Sequence, residues 1–217
     1  MRPVMLFSAL LLAMFGFSGS VRAQADEQAL VDRATLTLQE MMGPADNTGD
    51  AKALLRNAKG VMICPRVFRA GFIVGGQFGD CVLAARDGGG SWSSPAFYNL
   101  VSGSLGFQAG LQDAQVVMLI MTQKGLNAML DSQFKFGAEA GVAFATLGRS
   151  IEGATTAAVG ADIVTIARTR GLFAGITLEG ALLSADSDKM RAYFGREMAA
   201  RQVVVAMEAH NPGSDPL

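Results

Sequence analysis

Histidine, tryptophan and cysteine are nearly missing from this 217-residue chain, which carries one, one and two of them respectively. The single imidazole, His210, lies near the C-terminus, and the thiols of Cys64 and Cys81 are far apart, so no metal-ligand spacing is present. No metal or cofactor is expected. Charge is also scarce, at 17% of residues with a net of −1, which removes any global electrostatic case for nucleic acid. The longest apolar run, Val4 to Phe17, falls short of the roughly twenty residues that a membrane-spanning helix needs.

Nucleotide and hydrolase signatures are absent on inspection of their nearest imitations. Gly75, Gly76 and Gly79 give G-G-x-x-G, without the first member of a dinucleotide fingerprint, and Gly79 is followed by Asp80 and Cys81 where a phosphate loop requires Lys and Ser or Thr. The segment Ser102–Gly106, SGSLG, has Ser where a nucleophile elbow opens on Gly, and its only base would be His210 in a tail expected to fray. Glu139 and Glu179 sit among glycines and apolar residues, where a facing pair would acquire a raised pKa. Solvent-facing or capping roles are the simpler reading. Trp92, Phe97 and Tyr98 suit either a pocket wall or plain packing. The chain is read as non-enzymatic.

What remains is apolar and rich in glycine: half the residues are hydrophobic and 26 are Gly. Arg2, the apolar run and the small residues before Ala23 and Ala25 form an export signal, with cleavage expected after one of those alanines. The expected organisation is a signal peptide over 1–25, one domain over 26–209 and a flexible tail over 210–217, in a periplasmic or secreted protein. Cleavage leaves sixteen basic residues against nineteen acidic ones. Two cysteines in an exported chain permit one disulfide, Cys64 with Cys81, against the alternative of two buried thiols.

Leu30, Ala34, Leu38 and Met41 recur at helical spacing, and a short helix is expected from about Ala51 to Ala58. From Val61 to Val142 short apolar runs alternate with Gly, Pro, Asp and Ser, the texture of an antiparallel meander, interrupted by one helix that Thr122 caps. Two closing helical segments follow Ser187. Glycines recur every four residues at Gly71/Gly75/Gly79, Gly106/Gly110, Gly137/Gly141 and Gly171/Gly175, which places each set on one face of a strand. This predicts a curved sheet with another layer pressed close on its glycine face. The fold class is therefore α+β: a curved, Gly-rich antiparallel sheet packed by N- and C-terminal helices.

The segment Ala70–Met121, with its W-S-x-P (Trp92–Pro95) and G-x-Q-x-G (Gly106–Gly110), followed by G-L-F-A-G-x-x-L-E-G (Gly171–Gly180), closely resembles the SYLF domain family over roughly residues 28–205. That resemblance implies a lipid-binding domain that takes anionic phospholipid through an N-terminal helix and nearby basic residues. It also implies actin binding in the fungal branch. The residues supply a matching cluster: Lys52, Arg56 and Lys59 share one helix face, Arg66 and Arg69 follow, and no acid occurs between Ala51 and Gly79. Near an anionic bilayer each such charge contributes about 1 kcal/mol. Leu30, Val31, Leu38 and Met41 form a stripe that either inserts into the bilayer or packs in the core. The expected partner is an anionic phospholipid or membrane surface. The alternative is an envelope structural or protein-interaction module of the actin-binding type.

Overall fold

The computed structural model describes residues 18–43, 49–71, 74–105, 110–131, 133–137, 140–146, 160–171, 178 and 180–217. The apolar run Val4–Phe17 lies outside them, as do Glu139, Glu179, Gly106 and Gly175. Two helices open the described chain, α1 (Ser18–Met41) and α2 (Gly49–Asn57). Both expected cleavage points, Ala23 and Ala25, fall inside α1. Four long strands follow: β1 (Gly60–Gly71), β2 (Val74–Ala85), β3 (Ala96–Leu105) and β4 (Gly110–Ile120). Then come α3 (Gln123–Leu130), β5 (Gln133–Lys135), β6 (Val142–Thr146), β7 (Ile163–Gly171) and β8 (Leu182–Ala185). The chain closes with α4 (Ser187–Phe194), α5 (Ala200–Val204) and a single 3-10 turn over Pro212–Ser214.

The strands form one eight-stranded sheet in the order β5-β8-β3-β2-β1-β4-β7-β6. The class is α+β as expected, but the sheet is mixed, because β6 runs parallel to β7 while every other pair is antiparallel. Runs such as VMIC and VVMLI are buried on both faces. One face is covered by α1, and Val61, Ile63, Val82 and Phe97 form part of the core beneath it. Tyr193 of α4 meets Phe97 edge-on at 5.1 Å.

Pro65 explains a break in β1. It has no N–H to give the ladder, and the register with both neighbouring strands shifts between Ile63 and Val67. Arg66 emerges exposed from that bulge after an unbroken run of buried residues from Gly60 to Pro65. Cys64 and Cys81, both fully buried beside it, are joined by a disulfide across β1 and β2.

The glycines are used differently from the expectation. Gly71 lies opposite Gly75 and Gly110, and Gly76 opposite Gly103, so they gather at one end of the sheet instead of lying under a helix. Close approach occurs at two other places. A Cβ on Gly79 would come within 2.9 Å of the Arg66 carbonyl at the bulge, and one on Gly125 of α3 within 2.8 Å of the Asp162 carbonyl. That second contact is fixed from several sides. The Asp162 carboxylate accepts from Thr122 Oγ1 at 2.6 Å, Gly141 N at 3.1 Å and Lys124 Nζ at 3.1 Å, which together hold its pKa down at about 2. Thr122 caps α3 as expected, accepting from Gly125 N.

Two further points concern the ends of the described chain. Leu30, Val31 and Met41 are core, so the α1 stripe is spent on packing against the sheet, and Leu36 is the large apolar residue of the helix that stands well exposed among those described. The tail after His210 is pinned: Asn211 N donates to Ser94 Oγ, Asn211 Nδ2 to the Tyr193 carbonyl, and Gln28 Nε2 to the Gly213 carbonyl. Of the closing segment, only Ala200–Val204 is helical.

Candidate functional site

Even-numbered positions of β2 share one face of the sheet. Val82, in the middle, is buried beneath α1, whereas Phe78 and Asp80 lie on one flank of that helix and Ala84 and Arg86 on the other. The helix thus leaves a hollow on each side, and the two hollows differ in chemistry.

On the Arg86 flank three chain segments converge. The backbone N–H of Arg86 donates to the Lys59 carbonyl at 2.8 Å, and its Nη1 donates to the Arg56 carbonyl at 2.6 Å. These bonds place the end of β2 against the C-terminal turn of α2. Lys52 lies one turn before Arg56 on the same helix and Lys59 two residues past its end, so four cations, Lys52, Arg56, Lys59 and Arg86, belong to these segments. Among the described residues none of the four lies within ion-pairing distance of a carboxylate. The Arg86 guanidinium lies 4.6 Å from the centroid of the Trp92 ring, and this stacking fixes its plane. Behind it is a cavity of about 630 Å³, walled by Leu38, Leu55, Val61 and Ala84 on one side and by the pinned tail, His210 to Leu217, on the other. His210 and Asp215 face each other at 3.5 Å in that tail.

The five expected lipid-binding residues therefore divide. Lys52 and Arg56 share a face of α2, Lys59 lies beyond its last residue Asn57, and Arg86 is joined to Arg56 and Lys59 through their carbonyls. Arg66 is about seven residues further along β1, on the order of 23 Å at strand rise, and it is already engaged. Its Nε and Nη2 bond the two oxygens of Asp113 at 2.8 and 3.2 Å, and this fork keeps its pKa above the usual arginine value. Arg69 lies in register with Gln77 and Gln112, both buried, on the face opposite Arg66. Arg86 was missed because its partners, Arg56 and Lys59, lie about thirty residues earlier in the chain. Its position closing the strand CVLAAR was the only available signal.

The other flank is apolar. Phe68, Phe78, Val101 and Leu182 are directly opposed across β1, β2, β3 and β8, so they form one row on one face. Phe78, Val101 and Leu182 are 56%, 46% and 41% exposed. A hollow of about 890 Å³ runs between this row and Leu30 and Arg33 of α1. Two of its charged residues are paired, Arg66 with Asp113 and Asp80 with Lys189 at 2.5 Å, while Arg33 has no ion pair among the described residues.

The enzymatic imitations do not assemble. Ser102 lies within β3 and not at a strand-to-helix turn. Phe97 and Tyr98 are fully buried, while Trp92 lines the cationic cavity. Among the described residues no group of His, Cys, Asp and Glu is arranged to hold a metal.

Residues 101–217, more than half the chain, match the family model described as Ysc84, Las17-binding protein actin regulator. The chain is 31% identical over 189 residues to "SH3 domain-containing protein PJ696.02" of Schizosaccharomyces pombe, covering 85% of this chain and 42% of that protein. It is 28% identical over 167 residues to "LAS seventeen-binding protein 3" of Saccharomyces cerevisiae, covering 76% and 36%. It is 27% identical over 186 residues to "SH3 domain-containing YSC84-like protein 1" of Homo sapiens, covering 85% and 54%. The chain thus spans from about a third to just over half the length of these relatives. No solved structure matches it.

Proposed function

From the premise that the chain belongs to the Ysc84 family, we propose that it is a non-enzymatic binding module that attaches to anionic phospholipid surfaces through Lys52, Arg56, Lys59 and Arg86. The observation that carries this reading is the joining of Arg86 to the Arg56 and Lys59 carbonyls, with no carboxylate partner for Lys52, Arg56, Lys59 or Arg86 among the described residues of a chain whose net charge is −1. Four charges at about 1 kcal/mol each give roughly 4 kcal/mol of attraction, which fades as added salt shortens the screening length below about 10 Å. Trp92, 39% exposed beside Arg86, supplies the aromatic contact at headgroup depth that the buried α1 stripe does not. The export segment at the N-terminus supports an envelope or extracellular setting, where the accessible anionic surface is the leaflet facing that compartment.

A second reading rests on the apolar row Phe68–Phe78–Val101–Leu182 and on relatives named for binding protein partners. It is a protein-interaction module whose contact is apolar. Co-sedimentation with anionic and with zwitterionic vesicles separates the two. Binding to anionic vesicles alone, weakened by salt, is the expected result. Equal recovery with both vesicle types removes the electrostatic reading.

A further inference from the structure

The cavity behind the four cations is more than a backdrop to them. Its volume, about 630 Å³, lies within the roughly 300–1,000 Å³ range of sites for small ligands. Its lining combines apolar side chains, Leu38, Leu55, Val61 and Ala84, with the cations Arg56 and Arg86 and with Asp215 in the tail. The Arg86 guanidinium is fixed before any ligand arrives, by its bond to the Arg56 carbonyl and by Trp92 beneath it. Yet its Nε–H is buried with no hydrogen-bond partner among the described residues. Arginines that line a hollow together with Leu38, Leu55, Val61 and Ala84 match an anionic oxygen carried on a hydrocarbon chain.

We propose that this cavity holds one molecule of a single-chain amphiphile with an anionic head, the head oxygens on Arg86 and Arg56 and the chain among Leu38, Leu55, Val61 and Ala84. The inference rests on the reading of Arg56 and Arg86 as anion-facing groups and adds a stoichiometric, enclosed site to the diffuse surface attraction. The outer wall is the tail that Asn211 and Ser214 fasten to Ser94, so the ligand enters between that tail and α2.

The test uses the full chain and its single tryptophan, Trp92, which lines the cavity. Lauroyl lysophosphatidic acid is titrated below its micelle-forming concentration while Trp92 fluorescence is followed, and the bound stoichiometry is read by native mass spectrometry. The expected result is saturation at one molecule per chain. Lauroyl lysophosphatidylcholine and inorganic phosphate, which supply the chain without net charge and the charge without the chain, bind at least about tenfold more weakly. Arg86→Gln weakens the titration by about tenfold or more, the loss expected for a charge-assisted hydrogen bond. Arg56→Gln, on the exposed face of α2, provides the same readout should Arg86→Gln fail to fold. The proposal is overturned if no saturation occurs below the micelle threshold, if phosphate alone binds as well, or if both substitutions leave the titration unchanged. Vesicle sedimentation run alongside keeps the two readings distinct: one-to-one binding without vesicle recovery sinks the surface reading alone, and the reverse sinks the cavity alone.

Discussion

Replacing Gly125 by Ala tests the packing account through the sign of its effect. In an ordinary helix interior the change stabilises by up to about 1 kcal/mol, because Ala is the better helix former. Here the new methyl would sit 2.8 Å from the Asp162 carbonyl oxygen, a backbone atom, so no side chain can swing away to relieve it. Nor is that carbonyl free to retreat. It accepts from Met121 N at 2.8 Å, and the Asp162 side chain is tied to Thr122, Gly141 and Lys124. Overpacking typically costs about 1–3 kcal/mol, and disturbing the Met121 bond adds about 1 kcal/mol. Set against the propensity gain, the net is a destabilisation of about 1–3 kcal/mol. A central value of about 2 kcal/mol lowers Tm by roughly 4–8 °C for a chain of this size. Thermal unfolding followed by circular dichroism, with Gln123→Ala on the exposed side of α3 as control, measures it. The control is expected to stay within about 0.5 kcal/mol of the parent. A Gly125→Ala protein as stable as the parent, or more so, would refute the claim that α3 is seated directly on the Asp162 backbone.

The remaining predictions follow from the same geometry. Cys64→Ser/Cys81→Ser opens a loop of 17 residues and should lower stability by about 3 kcal/mol in the chain-entropy model, read as a fall in the urea midpoint. Asp162, with a folded pKa of about 2 against an unfolded value near 3.8, contributes stability that is present above about pH 4 and lost as pH falls toward 2. Asp162→Asn should flatten that acid limb in unfolding measured from pH 5 to 2, and an unchanged limb would count against the assignment. Arg66→Gln should leave anionic-vesicle recovery unchanged at physiological salt, because Arg66 lies on the order of 23 Å along β1 from Lys59, beyond the screening length of about 8 Å.

How far the sequence could be read is clearest at the cationic site. The helical spacing of Lys52 and Arg56 is a local property that α2 keeps, but the helix ends at Asn57 and Lys59 falls outside it. Arg66 and Arg69 looked like neighbours of that group along the chain, but strand rise carries them away and strand alternation puts them on opposite faces. Their departure is decided at Pro65, where the bulge resets which side chains face out, and by Asp113, which is 47 residues distant. Arg86 enters for the converse reason: antiparallel pairing returns the end of β2 to the start of β1, a contact invisible to local spacing. The α1 stripe was ambiguous between bilayer and core because its periodicity is the same in both, and the sheet claimed it. Glycine spacing did not mark single strands: Gly71 ends β1 while Gly75 and Gly79 lie in β2, and Gly137 and Gly141 lie outside the strands. It did not reveal that the glycines of neighbouring strands oppose one another, which depends on register. Thr122 was legible as a cap because a hydroxyl placed three residues before a backbone N–H is sufficient by itself.

Salt-dependent partitioning of the parent and Lys52→Gln/Arg56→Gln proteins onto vesicles containing an anionic phospholipid tests the central claim most directly. The four-cation account predicts that losing two charges at about 1 kcal/mol each weakens partitioning by roughly thirtyfold at low salt, with the two proteins converging as salt rises. Identical partitioning of the two proteins at low salt, or binding that survives at 1 M salt, would contradict it.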